Sequence, residues 1–332
     1  MADTVLATVE GRIGRLQMNR PPALNALNHE MIVALTEALT AWRHDPRIHA
    51  VVIEGLGGRA FCAGGDIRAI RDAALAHDAA SIRTFFAEEY KLNRLIAELG
   101  KPYIALIDGI CMGGGIGVSV HGTFRVVTES ALLAMPETGI ALFPDVGASF
   151  VLPRLPGALG YYLGLTGTRL NGADAVHAGF ATHFVAKSDL SALSAALARD
   201  GVAALAESAA KLPSFALAPY RDAIDRCFSA DSVAEILARL ENEGEWGQAT
   251  IATLRTASPS SLLWSFGILR RGAQHNLTEC LAAELHLTAS VTAHPDFAEG
   301  VRAMIIDKDR KPKWSPVRLE DVDQNQIESM FL

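Results

Sequence analysis

Two glycine-rich turns, each lying between a short apolar strand and a helix, constrain the fold of this chain more than any other feature. The first occupies residues 61–67 (FCAGGDI) and follows the predicted strand 50–54 (AVVIE). The second occupies residues 112–117 (MGGGIG) and follows the predicted strand 103–107 (YIALI). Glycine lets a backbone approach a neighbour or a ligand closely, and a helix start offers N–H groups that lack helical acceptors. Two such turns facing each other would form an oxyanion hole in a layered α/β protein.

The composition of the chain changes near residue 190. Before that point short β-rich runs alternate with helical runs, beginning with a hairpin-like pair at residues 5–9 and 13–18. After it, Ala, Leu, Glu and Arg dominate up to about residue 290, and few strand signals remain. We therefore predict a spiral of repeated ββα units over residues 1–190, followed by a mainly helical C-terminal region over residues 191–332.

Charge and hydropathy exclude several function classes. The net charge of −7 over 332 residues is spread without a long run of one sign, so we expect neither nucleic acid nor a membrane as a partner. The apolar stretch 104–120 is interrupted by Asp108 and five glycines, which is not typical of a membrane helix. Residues 1–20 lack the continuous apolar segment of an export signal, so we expect a cytoplasmic protein.

The cysteines and histidines predict no metal site. Cys62, Cys111, Cys227 and Cys280 are widely separated along the chain, which favours buried free thiols in a reducing compartment. The ten histidines show no spacing typical of zinc ligands, such as HExxH.

Two carboxylates stand in the mostly apolar segment 134–149 (AMPETGIALFPDVGAS). Glu137 and Asp145 each follow a proline and each precede a glycine by two residues. Burial among the apolar neighbours would raise the pKa of at least one carboxyl group, which suits base chemistry near neutral pH. Structural roles are the alternative: Asp145 as the N-cap of the helical run that follows, and Glu137 as an acid in a turn.

Several strings of this sequence, taken in order, resemble the enoyl-CoA hydratase/isomerase (crotonase) superfamily. The strings are NRP (19–21), LNAL (24–27), FCAGGDI (61–67), KPYIALIDGICMGGGIG (101–117) and MPET (135–138). Longer strings are similar to the 3-hydroxyisobutyryl-CoA hydrolase branch of that superfamily, namely FFAEEYKLN (85–93), AMPETGIALFPDVG (134–147) and FAEGVRAMIIDKDRKPKW (297–314). The resemblance extends from about residue 5 to the C-terminus and implies a crotonase-like fold.

The resemblance also implies roles for five residues. Gly65 and Gly114 correspond to the two oxyanion-hole amides, which hold the thioester carbonyl oxygen. Glu137 corresponds to the catalytic glutamate, and Asp145 to the aspartate that marks the hydrolase branch. Glu89 corresponds to a glutamate that contacts the substrate. Gly114, Glu137 and Asp145 are implied to contact the substrate as well. The implied partner is an acyl-CoA, no cofactor is expected because CoA belongs to the substrate, and relatives often form trimer-based homo-oligomers.

We predict hydrolysis of a short-chain 3-hydroxyacyl-CoA, with 3-hydroxyisobutyryl-CoA of valine degradation favoured. Glu137 would either attack the thioester carbonyl, with Asp145 positioning the water that resolves the anhydride, or activate water directly. The first alternative is an enoyl-CoA hydratase or isomerase on the same scaffold. Gly117 opposes it, because hydratases carry a second glutamate at that position. The second alternative is a non-catalytic binder of CoA esters. Many relatives carry a lysine at the position of Pro22, and its side chain contacts CoA. Pro22 puts a CoA contact from this position in doubt.

Overall fold

The computed structural model describes residues 3–208 and 210–331, and the chain forms two compact units. The first unit consists of Met1–Gly65, Glu88–Ala134 and Arg169–Ala216. The second consists of Asp66–Ala87, Met135–Thr168 and Leu217–Leu332. Both units are discontinuous in sequence, so they are a different division from the predicted regions 1–190 and 191–332. Those regions stay a prediction about the domains of the chain.

All strands of the described residues belong to the first unit. They are β1 (Val5–Glu10), β2 (Ile13–Met18), β3 (Ala50–Gly55), β4 (Ala60–Cys62), β5 (Tyr103–Ile107), β6 (Ile110–Met112), β7 (Phe124–Val127), β8 (Leu132–Ala134), β9 (Leu170–Asn171) and β10 (His183–Phe184). One sheet has the order β1-β2-β3-β5-β7-β10, in which only β1 runs antiparallel to its neighbour. A second sheet has the order β4-β6-β8-β9.

The helices are distributed over both units. They are α1 (His29–Arg43), α2 (Ile67–Leu75), α3 (Ala79–Ala97), α4 (Gly114–Val120), α5 (Ala148–Val151), α6 (Leu159–Thr166), α7 (Gly172–Ala178), α8 (Leu190–Asp200), α9 (Ala204–Glu207), α10 (Arg221–Phe228), α11 (Val233–Leu240), α12 (Gly244–Leu254), α13 (Pro259–Gly272), α14 (Leu277–Ala293), α15 (Pro295–Val301) and α16 (Gln324–Ser329). Short 3-10 segments connect several of them, including Glu137–Ile140. Within the described part of the chain, no helix combines the length and the apolar character that a membrane crossing needs.

The predicted alternation of strands and helices followed by a helical C-terminal part is confirmed. The predicted hairpin pairs Val5 with Met18 and Glu10 with Ile13 in antiparallel register. Strands β4, β6, β8, β9 and β10 are only two or three residues long. A run of that length does not show a period of two, so residue pattern alone does not reveal it.

The parallel strands of the large sheet are buried because helices cover them. On β3, Ala50 and Val52 pack into an apolar cluster with Leu193 and Leu197 of α8. The intervening residue Val51 is also fully buried. A strand buried on both faces is apolar throughout, which explains the run AVVI without alternation.

The second unit is a helical assembly whose elements approach closely through glycine. Gly160 of α6 lies against the carbonyl oxygen of Leu152, and Gly272 of α13 lies against the carbonyl oxygen of Ser149. Any side chain at these glycines would collide with backbone atoms. The segment 135–168 is therefore packed tightly against the C-terminal helices.

The prediction of buried free thiols is confirmed for all four cysteines. Burial raises the pKa of the Cys62 thiol to about 12 and that of the Cys227 thiol to about 11. Burial also raises the thiol pKa of Cys111 and Cys280. These thiols therefore stay protonated at neutral pH.

We expect Val52→Ala to lower the free energy of unfolding by about 2 kcal/mol, because it removes two buried methyl groups and leaves a cavity in the sheet core. Val9→Ala is the matched control, since Val9 lies on β1 of the same sheet but is 55% exposed. Urea unfolding of both variants measures the difference. Equal losses in the two variants would contradict this description of the core.

Candidate active site

The two glycine-rich turns meet in the first unit. Gly115 lies against the carbonyl oxygen of Cys62, and a methyl group on Gly114 would lie 3.3 Å from the carbonyl carbon of Gly64. Gly64 and Gly113 have φ angles of +114° and +47°, a region that side chains other than glycine rarely occupy. The backbone contact between the turns therefore requires glycine on both sides.

The second turn opens a helix at Gly114, and the first turn is bridged to Leu27. Gly114 is the first residue of α4, so its N–H has no acceptor within the helix. Gly65 forms an isolated parallel bridge with Leu27, in which the Leu27 N–H donates to the Gly64 carbonyl oxygen at 2.8 Å. Leu27 belongs to the string LNAL, so this string fixes the position of the first turn.

Glu89 is a buried acid at the second turn. It lies on α3 and is only 2% exposed, whereas its neighbour Glu88 is partly exposed and pairs with Lys91 at 3.3 Å. A methyl group on Gly114 would lie 2.6 Å from Glu89 Oε1. The Glu89 charge also contributes, after burial, to the raised pKa of Cys62. Glu89 is therefore not a solvated helical acid.

Asn93, one helical turn after Glu89, is a polar residue that sequence reasoning missed. Its side chain is fully buried, and neither amide atom has a hydrogen-bond partner among the described residues. The same helix buries Phe86 and Tyr90. A polar residue at i+4 from Glu89, among apolar residues on one face, was the available sequence signal.

Glu137 lies in the second unit at the start of the 3-10 segment Glu137–Ile140 and is 5% exposed. Pro136 precedes Glu137. The carbonyl oxygen of Glu137 accepts a hydrogen bond from the Leu142 N–H at 3.0 Å. The Leu142 carbonyl oxygen in turn accepts bonds from Ser261 and from Trp264 Nε1 of α13, the latter at 3.2 Å. These bonds hold the backbone that follows Glu137.

Asp145 precedes a backbone turn of unusual conformation and is 4% exposed. Val146 has a φ of +54°, which is rare for a β-branched residue, and Gly147 has a φ of +83°. The Ala148 N–H donates to the Asp145 carbonyl oxygen at 2.8 Å, and the residue that precedes α5 is Gly147. Asp145 is therefore not the N-cap of α5, and that structural alternative is excluded.

A further buried acid, Glu284 of α14, is bonded to the turn after Asp145. Glu284 Oε2 accepts the Gly147 N–H at 2.7 Å, and Oε1 accepts the Ser149 N–H at 3.0 Å and the Ser149 hydroxyl at 2.5 Å. Burial raises the pKa of Glu284 to about 8, and the nearby Asp145 charge also raises it, against the lowering effect of these donors. Glu284 falls on the buried face of α14 with Cys280 and Leu287, so helical periodicity was the signal that could have found it.

The five predicted site residues thus fall into two sets. Gly65, Gly114 and Glu89 lie in the first unit, while Glu137 and Asp145 lie in the second. All three acids are buried. Their roles in a reaction stay predictions. Within the residues that the structure describes, no group of three His, Cys, Asp or Glu side chains is placed to hold a metal ion.

The fold is of the crotonase type. The family model for enoyl-CoA hydratase/isomerase matches residues 13–331, so this chain belongs to that family. It is 47% identical to a mitochondrial 3-hydroxyisobutyryl-CoA hydrolase of Xenopus laevis, over 98% of this chain and 88% of the relative. The corresponding human protein is 43% identical over 99% of this chain and 89% of its own length.

Solved structures are similar over nearly the whole chain. A carnitinyl-CoA dehydratase from Mycobacterium thermoresistibile has a TM-score of 0.95 and 40% identity, covering 99% of this chain and 96% of its own. The predicted crotonase-like fold is therefore confirmed.

The expectation of a cytoplasmic protein is wrong. The frog and human relatives are both named as mitochondrial, which points away from the cytoplasm. The expectation rested on the lack of an export-type apolar segment. That observation does not separate the cytoplasm from mitochondria.

We expect the stability of the wild-type protein to fall by roughly 1 kcal/mol per pH unit between about pH 5 and pH 8 because of Glu284. The folded state retains a proton on this carboxyl group that the unfolded state has already released, so folding is penalised as pH rises. The loss stops above the folded pKa of about 8. Among the described residues, the ionisable groups that interact with Glu284 are Asp145 and Cys280.

Urea unfolding at several pH values measures this effect, and Glu284→Gln should show a flatter profile because it cannot ionise. Glu245→Gln, which removes an exposed acid from α12 of the same unit, is the control and should keep the wild-type profile. Parallel profiles for wild type and Glu284→Gln would contradict the assignment.

Proposed function

We propose that this chain hydrolyses 3-hydroxyisobutyryl-CoA to 3-hydroxyisobutyrate and CoA. The observation that carries the proposal is the 47% identity to a 3-hydroxyisobutyryl-CoA hydrolase over 98% of the chain. The reaction would serve valine degradation. It needs only water and the thioester, so we propose no cofactor beyond the CoA of the substrate. Trimer-based homo-oligomers, which the family resemblance implies, stay a prediction.

In this proposal the N–H groups of Gly65 and Gly114 bind the thioester carbonyl oxygen. Attack on a thioester carbonyl places negative charge on that oxygen, and preorganised N–H donors stabilise it. Two observations support the assignment. The Gly114 N–H has no acceptor within α4, and the two turns touch through their backbones. Donors held this rigidly need no reorganisation as the charge develops.

Glu137 and Asp145 divide the remaining chemistry. In one route the Glu137 carboxylate attacks the acyl carbon, CoA leaves as a thiolate, and water positioned by Asp145 cleaves the resulting anhydride. In the other route Glu137 removes a proton from water, which attacks the acyl carbon directly. Borohydride added during turnover separates the routes, because it reduces an anhydride at Glu137 to the alcohol, which peptide mass spectrometry detects.

Glu89 would accept a hydrogen bond from the 3-hydroxyl group of the substrate. Its burial beside Gly114 supports this role, because a carboxylate near the thioester carbonyl site can reach a group two carbons away. A pocket built to bond a hydroxyl group rejects an analogue without it, since the buried polar group is then left unpaired. Selection for 3-hydroxyacyl groups follows.

A hydratase or dehydratase is the second candidate, favoured by the 40% identity to the carnitinyl-CoA dehydratase. Gly117 opposes it, because it is a buried glycine of α4 at the position where hydratases carry their second glutamate. A spectrophotometric assay with crotonyl-CoA tests this candidate. Rapid loss of the double bond without thiol release would replace the hydrolase proposal.

We expect Glu137→Gln to lower kcat for thiol release from 3-hydroxyisobutyryl-CoA by about 10²–10⁴-fold, because the amide is neither a base nor a nucleophile. The same assay with 3-hydroxypropionyl-CoA and butyryl-CoA measures selection for the hydroxyl group, and butyryl-CoA should be the poorest substrate. Wild-type rates in Glu137→Gln would contradict the proposed chemistry. Unimpaired cellular function of Asp145→Ala would instead favour a non-catalytic CoA-ester binder.

We expect Gly114→Ala to lower kcat/KM by about tenfold to a hundredfold with the fold retained. The new methyl group would meet Glu89 Oε1 and the Gly64 backbone, so both must shift, and small misplacements of reacting groups are costly. Gly139→Ala is the control, because a methyl group there meets no atom within 4 Å. Equal activities of the two variants, with circular dichroism confirming their folding, would argue against the Gly114 site.

A further inference from the structure

A carboxyl group in the middle of a buried helix face needs an explanation. Glu284 is fully buried, and no cation lies within ion-pair distance of it in the described part of the chain. A buried carboxyl group without a cationic partner usually costs stability, and replacing such a group by an apolar residue is often favourable. Its retention on α14 points to a role other than stabilisation of the fold.

The hydrogen bonds of Glu284 all go to one short segment. They end on the Gly147 N–H, the Ser149 N–H and the Ser149 hydroxyl, at 2.7, 3.0 and 2.5 Å. The Ser149 carbonyl oxygen is covered from another direction by Gly272 of α13. The segment is therefore held by two helices that belong to the same compact unit.

Asp145 lies two residues before this segment, so the segment fixes the backbone that follows Asp145. The chain must pass through Val146 at a φ of +54° to reach Gly147, and this conformation is strained for a β-branched residue. Such strain persists only where the surroundings determine the backbone, and it occurs often at functional sites. The bonds that Gly147 and Ser149 donate to Glu284 are among the contacts that hold the strained turn in place.

We propose that Glu284 is a positioning residue that fixes Asp145 for hydrolysis by holding the backbone turn at residues 146–149. The inference rests on the proposed function, in which Asp145 orients water. The carboxyl group acts through its two acceptor oxygens, and it does not touch the substrate. The nearby Asp145 charge, after burial, also raises the pKa of Glu284.

A double-mutant cycle on kcat tests the proposal, with thiol release from 3-hydroxyisobutyryl-CoA as the readout. Glu284→Gln keeps one acceptor oxygen and should lower kcat about tenfold to a hundredfold, with KM within twofold. Glu284→Leu removes both acceptors and should lower kcat further. In an Asp145→Asn background the effect of Glu284→Gln should shrink to less than twofold, because the positioned group is already lost.

The matched control is Asp174→Asn. Asp174 is also a buried acid, and its carboxylate also holds a loop, accepting the Ala216 N–H at 2.8 Å and the Asn171 amide at 2.7 Å. Its replacement should lower the unfolding free energy and leave kcat unchanged. A loss of kcat in this control equal to that in Glu284→Gln would overturn the proposal, because any buried acid would then behave alike.

The remaining outcomes separate this inference from the function on which it rests. If Asp145→Asn keeps the wild-type kcat, the role of Asp145 in the proposed function fails. The positioning role alone fails if Asp145→Asn lowers kcat while Glu284→Gln leaves kcat unchanged. It also fails alone if the fold-losses in kcat of the two variants multiply in the double variant. Should Glu284→Gln not fold, Ser149→Ala decides, since it removes the shortest of the three bonds. A kcat of Ser149→Ala within twofold of wild type then overturns the proposal.

Discussion

The backbone contact between two strand-to-helix turns is the constraint on which the rest of the first unit depends. Gly114 and Gly115 come so close to Cys62 and Gly64 that a side chain at either glycine would displace main-chain atoms or Glu89. Strands β4 and β6 pair in parallel directly before these turns, so the small sheet sets the distance between them. A flexible glycine loop would not hold N–H groups in fixed directions, whereas these glycines are fixed by packing.

The second unit contains two acids, Glu137 and Asp145, in a mostly apolar segment. Residues 137–149 are held through their backbone, by Ser261 and Trp264 at Leu142 and by Glu284 at Gly147 and Ser149. These bonds come from buried polar groups of the C-terminal helices, which support the loop that carries Glu137 and Asp145.

Residue pattern predicts those parts of this protein whose signal is local and long. The hairpin follows from its alternating pattern, the buried strand at residue 50 follows from its apolar run, and the site residues follow from resemblance. The two- and three-residue strands leave no period to detect. Glu284 and Ser149 are hydrogen-bonded but lie 135 positions apart in the sequence. The residue pattern of α14 shows that Glu284 is a polar residue on an apolar face, but it does not show that Ser149 is its partner. The interleaved segments of the two units likewise depend on contacts that no local pattern encodes.

The burial of the four cysteines has a consequence for an enzyme that releases a thiol. CoA that has been oxidised to its disulfide exchanges with accessible protein thiolates and releases CoA thiolate, but the Cys62 and Cys227 thiols stay protonated well above neutral pH and all four cysteines are buried. The product therefore accumulates without forming mixed disulfides with the catalyst. A disulfide reagent in solution reports CoA against a low background from the folded protein itself.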